Sequence, residues 1–213
     1  MIWFIIATLV AFFIKGLCGF ANTLIFNGIL SYTANNINIS PLEVVLGYPS
    51  NIILVWKERK SLNWKIWLPL TALVVAGSIP GIFLLKHTDA GLLKVIFGIA
   101  VIVIGVEMLF REMKSNRESS NRKPGGSKLV LVLIGIISGL LCGLYGVGAL
   151  LAAYVSRVAE NSHEFKANIC VVFVVENTIR IILYVATGIL TLSVLKQVVI
   201  LIPFMLAAVF LGM

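Results

Sequence analysis

Long apolar runs dominate this chain, among them residues 65–85, 91–110, 166–187 and 194–213, each carrying at most three charged side chains. A helix of about 20 such residues matches the roughly 30 Å of hydrocarbon in a bilayer. Four runs of that kind cannot be hidden inside a chain of 213 residues, of which 60% are hydrophobic and 12% charged; most of the surface must face lipid. A soluble fold is therefore excluded, and an all-α polytopic membrane protein is expected. The bacterial cytoplasmic membrane is the expected location.

The formal charge of +8 does not indicate nucleic acid, because the basic residues fall mainly between apolar runs, where they set topology. KERK (57–60) and the stretch REMKSNRESSNRKPGGSK (111–128) are both expected on the cytoplasmic side. The small loop KHTDAG (86–91) between them is then outside. Residues 1–14 are apolar, without a basic leader or a small-residue cleavage site, and so read as a retained first helix. The 111–128 stretch has the Pro-Gly-Gly-Ser punctuation of a linker and divides the chain into a first membrane repeat (1–110) and a second (129–213). Cys18, Cys142 and Cys170 lie singly in apolar text, giving neither a disulfide framework nor a zinc site. His87 and His163 stand apart from any acidic cluster. No metal, cofactor or catalytic centre is expected, and an intramembrane enzyme is disfavoured.

A further apolar segment is expected over about 42–56, while two others, 20–30 and 147–156, are too short to cross a bilayer. Each of these two is expected to be half of a broken helix or a re-entrant piece. Counted as crossings they give halves of opposite orientation, and counted as re-entrant they give halves of like orientation. Both begin at a glycine cluster: GLCGFANTLI starts at Gly16, and GLYGVGALLA starts 127 residues later at Gly143. Pro49-Ser50-Asn51 and Val175-Glu176-Asn177 match at nearly the same separation. Internal duplication around interrupted helices is the pattern of secondary transporters, whose sites form where the interruptions meet. Backbone groups freed by a break in lipid must find protein, water or a ligand. A half-helix N-terminus also presents N–H groups to an anion. Packing of small residues is the structural alternative.

On these glycine elements, on PLEVVLGYPSNI (41–52) followed by a basic loop and Asn63-Trp64, and on the long-helix pair before the linker, the chain resembles the sulfite exporter TauE/SafE family. That resemblance covers most of the chain. It implies a permease for a sulfur-containing anion such as sulfite or a sulfonate, bound between two broken helices near the midplane. The glycine cluster departs from the family pattern at Ala21, Asn22 and Thr23 in the first copy and at Ala149 in the second. The resemblance also implies one more helix after Met213, so a last helix is expected to be absent or supplied by a partner. A homo-oligomer is compatible with this. The alternative function is a non-transporting membrane subunit of a larger complex.

Candidate ligands for the anion are Gly19, Asn22, Thr23, Asn51, Gly146, Gly148, Asn177 and Arg180, with Glu176 as counter-charge or proton-coupling group. Ionisable residues deep in a membrane helix cost about 2.5–3.5 kcal/mol on insertion scales and usually face a cavity or a partner. Glu176 and Arg180 are four residues apart, with Asn177 on the same face. Their structural reading is a self-neutralised pair, and their functional reading makes Arg180 a planar fork for oxyanion oxygens. Asn22 and Thr23 stand where a half-helix cap would form. Lys15 is read as a snorkelling interfacial residue, Glu107 with Arg111 as an interfacial pair, and Tyr48, Tyr145 and Tyr184 as packing or interface residues.

Overall fold

A computed structural model of the chain describes residues 2–31, 36–87 and 148–213, with single positions and short pieces between 89 and 142. The 111–128 linker, most of the segments 91–110 and 129–143, and Glu107, Arg111, Gly143, Tyr145 and Gly146 lie outside the described residues. All the elements described are helical: α1 (Ile2–Cys18), α2 (Asn22–Leu30), α3 (Asn36–Glu58), a 3-10 turn (Arg59–Ser61), α4 (Trp64–His87), α5 (Ala149–Val158), α6 (Ser162–Ala186) and α7 (Leu192–Gly212). Helices α3, α4, α6 and α7 are long and apolar enough to span a bilayer.

The first break is a reversal. Gly19 (φ 84°) and Ala21 (φ 72°) both adopt the left-handed region, which glycine enters freely and alanine only with strain. Helix α2 therefore folds back along α1, and Phe12 and Phe26 meet edge to face at 6.5 Å. At 9 residues α2 is only about 14 Å long, too short to cross a layer of about 30 Å. The second short segment is likewise confirmed as short: α5 has 10 residues and starts just after Gly148.

Lipid gives no hydrophobic drive to join one apolar helix to another, so close packing and polar contacts must hold the bundle. At the α1–α7 crossing, a Cβ on Gly16 would stand 2.6 Å from the Val209 carbonyl oxygen, and one on Gly212 would stand 3.1 Å from the Gly16 Cα. Only glycines allow that approach. Helices α3 and α6 run antiparallel. His163 Nδ1 and Glu58 Oε2 are 2.8 Å apart at one end, while Arg180 donates to Ser40 Oγ at 2.7 Å towards the other. Helix α5 closes one side, burying Leu151, Ala152 and Val155 against Leu54, Leu70, Val74 and Ile169.

The KERK end of α3 is joined to the start of α6. The Asn63 backbone N–H donates to Asn168 Oδ1 and its side-chain amide to Glu164 Oε1, both at 2.9 Å. Asn161 caps α6 by accepting from the Glu164 N–H at 2.8 Å. Exposed Trp56 and Trp64 flank the same loop, with Arg59 and Lys65 over their rings. Aromatic rings beside lysine and arginine are the signature of the membrane–water boundary.

Candidate functional site

Sixteen polar or charged side chains are buried among the described residues, and several of them gather around the middle of α3 and α6. Gly47 is the central residue of α3 (Asn36–Glu58), and its missing side chain makes room there. A Cβ at Gly47 would lie 3.3 Å from Glu43 Oε1, 3.6 Å from the Asn22 amide nitrogen and 3.8 Å from that of Asn177. The recess over it is lined by Lys15, Asn22, Thr23, Glu43, Asn51, Asn177 and Phe173. Its cavity volume is about 10 Å³, which is the room one water needs. The recess is largely filled by its own side chains.

Glu43 is the focus of the polar contacts. It is 3% exposed, and its Oε1 accepts from Asn22 Nδ2 at 2.5 Å and from Thr23 Oγ1 at 2.7 Å. These donors are the first two residues of α2, the half-helix that follows the left-handed turn. Two charge-assisted hydrogen bonds and the positive end of a helix thus converge on one carboxylate oxygen. Lys15 enters from α1, 1% exposed, with its Nζ 3.4 Å from the Gly47 carbonyl oxygen and 5.7 Å from the Phe12 ring centre. The expected snorkelling position is not observed. Because α1 continues to Cys18, Lys15 lies inside the bundle, where the Glu43 carboxylate and the Gly47 carbonyl compensate its charge.

The other predicted residues divide into those the structure brings to the recess and those it does not. Asn22, Thr23, Asn51 and Asn177 line it. Asn51 Oδ1 is buried with no hydrogen-bond partner among the described residues, a state that usually signals a missing ligand or water. Neither Asn22 nor Thr23 caps its helix, since the capping position is Ala21 and no side chain caps there. Gly19 lies to one side, its carbonyl accepting from the Cys170 thiol at 3.3 Å and its Cα face against Lys166. Gly148 is covered by the Phe173 ring, which leaves no room for a Cβ. Phe173 thus touches Gly148 and lines the recess.

Arg180 and Glu176 form the expected contact, Nε to Oε1 at 3.7 Å, both 1% exposed. The Arg180 side chain does not line the recess, although its charge acts on Glu43. It donates to Ser40 Oγ at 2.7 Å and to Tyr184 Oη at 3.0 and 3.3 Å. Tyr184, fully buried, is a partner to arginine and not an interface residue. Sequence reasoning missed Glu43 and Ser40. With α3 taken to begin near residue 42, Glu43 falls at a helix end, where a carboxylate is unremarkable. A helix that begins at Asn36 carries it two turns inward.

A bundle of apolar helices, four of them long enough to span a bilayer, with charged side chains buried between them defines a polytopic integral membrane protein. Residues 4–213 match the family model for the sulfite exporter TauE/SafE, and the chain belongs to that family of membrane transporters, which carry sulfite and related sulfur anions and are not enzymes. Comparison with curated proteins and with solved structures gave no match.

Proposed function

We propose that the chain carries a small sulfur-containing oxyanion, sulfite or a sulfonate, through the recess over Gly47. Bringing such an anion into apolar surroundings unaided costs on the order of tens of kcal/mol, so several donors must replace its water. Lys15, Asn22, Thr23, Asn51 and Asn177 are donors of the right kind, and all five line one recess. That convergence is the observation that carries the reading.

The glycine-broken segments and the matched Pro49-Ser50-Asn51 and Val175-Glu176-Asn177 positions support two repeated halves. The helices bearing the two asparagines run antiparallel, which is the relation an inverted pair would have. Movement of one half against the other about the recess would then expose it to each side in turn. In this reading Arg180 and Glu176 brace α3 against α6 and set the shape of the recess, while Gly19, Gly146 and Gly148 permit the breaks.

The test is efflux of labelled sulfite and methanesulfonate from proteoliposomes containing the purified chain. Saturable flux that mutual competition suppresses is expected. Flux no greater than that of empty liposomes for both anions would reject the reading in favour of a non-transporting subunit.

A further inference from the structure

We infer that the Glu43 carboxylate holds, in the empty protein, the place the substrate anion takes when bound, and that it gives way by accepting a proton, so that each bound anion brings a proton with it. This rests on the recess being the anion site, as proposed above.

A carboxylate is an acceptor-only oxygen pair, as an oxyanion is, and it is fixed by the donors an anion would use. Asn22 and Thr23 both give their hydrogen bonds to Glu43 Oε1, leaving neither side chain's present donor bond free for a second acceptor. Lys15 lines the same recess, and its charge and that of Glu43 act on each other there. A second anion beside a charged Glu43 would meet no net attraction and would share donors with a like charge, which forces one of the two to neutralise. A cavity volume of about 10 Å³ is too small for both, since it admits a single water.

The groups facing Glu43 decide how it leaves. From α1 comes Lys15, and from α2 the uncharged Asn22 and Thr23. From α6 come Asn177, the Arg180–Glu176 pair and the Cys170 thiol. Arg180 is already bonded to Ser40 and Tyr184 and in contact with Glu176, and the Cys170 thiol donates to the Gly19 carbonyl. The buried faces of α5 and α7 are apolar among the described residues. Among the described residues the other side-chain donors lining the recess are Lys15 and the Asn51 and Asn177 amides, the same groups an incoming anion would use, and a buried charge without donors is strongly disfavoured. The uncharged acid needs none. Proton transfer to one Glu43 oxygen frees Asn22 and Thr23 for the anion and leaves Lys15 as an unmatched cation facing it.

Calorimetric binding of methanesulfonate, whose charge is constant across neutral pH, and of sulfite to the purified full chain tests this when run in two buffers of different ionisation enthalpy. The wild type should take up about one proton per methanesulfonate, its affinity falling about tenfold per pH unit where Glu43 is ionised in the empty protein. Glu43→Gln should bind with affinity independent of pH and with no uptake. For sulfite, the difference in uptake between wild type and variant should again be about one proton. Equal uptake by the two proteins overturns the inference. Should Glu43→Gln not fold, the wild type decides alone: methanesulfonate binding without proton uptake overturns it. Absence of binding by either anion to the wild type at any pH instead overturns the site reading itself, and the inference with it.

Discussion

Replacing Lys15 by methionine separates a structural lysine from one that binds anions. The side chain is 1% exposed, and its ammonium contacts the Gly47 carbonyl at 3.4 Å in the recess that also holds Glu43. Methionine keeps an unbranched apolar stem of similar length, so packing against Phe12 survives while the charge is lost. A hydrogen bond to a charged group contributes about 1.5–3 kcal/mol, and at 1.4 kcal/mol per decade its loss should weaken anion binding roughly 10- to 150-fold. The same change removes one of the two buried cations, Lys15 and Arg180, that act on Glu43, so the folded protein also loses stability. Lys15→Met combined with Glu43→Gln removes both charges, and the double variant should recover about 0.5–3 kcal/mol relative to the sum of the single changes. Thermal unfolding in detergent measures this coupling, and calorimetric binding measures affinity. In the double variant stability should return while anion affinity stays low. If the double variant binds sulfite as tightly as the wild type, Lys15 is only a partner for Glu43, and the reasoning fails.

Gly47→Leu fills the recess from α3, the added Cβ starting 3.3 Å from Glu43 Oε1, and should abolish anion flux in proteoliposomes while the helix itself forms well; persisting flux would move the site elsewhere. Arg180→Gln leaves Glu176 without its cation and Ser40 without its donor, and should cost about 3–5 kcal/mol of stability, much of it regained when Glu176→Gln is added, as thermal unfolding would report. Ala21 holds φ 72°, and a β-branched residue there should destabilise by roughly 1–3 kcal/mol, so Ala21→Val should lower the melting temperature and Ala21→Gly should not. Gly212→Leu would force α7 off α1, where a Cβ meets the Gly16 Cα at 3.1 Å, and should reduce the yield of folded protein on size exclusion.

Much of the architecture follows from local chemistry. Apolar runs of bilayer length place α4, α6 and α7 within a few residues of where they are found, because every backbone group in lipid must be satisfied within its own helix. The first glycine cluster marks the reversal between α1 and α2, and both short segments are found as short helices. Glu176 and Arg180 touch because the helix period puts residues four apart on one face. Boundaries are less legible where polar residues extend a helix: the first helix is expected to end at residue 14 but continues to Cys18, and α3 begins near 36, not 42. Those few residues move Lys15 and Glu43 from the interface to the interior.

What the order of residues cannot express is which buried charges meet. Lys15, Asn22 and Glu43 are drawn together by the reversal at Gly19–Ala21, and Arg180 reaches Ser40 across 140 positions of chain. Local pattern reports the face a residue occupies, because that depends on the helix period alone. The identity of the opposing face depends on how helices pack, which here rests on close approach at Gly16, Gly47 and Gly212 and on the sign of each left-handed turn. Membrane character and the position of the breaks were therefore set by sequence, while the recess, and the carboxylate that fills it, were decided by tertiary contact.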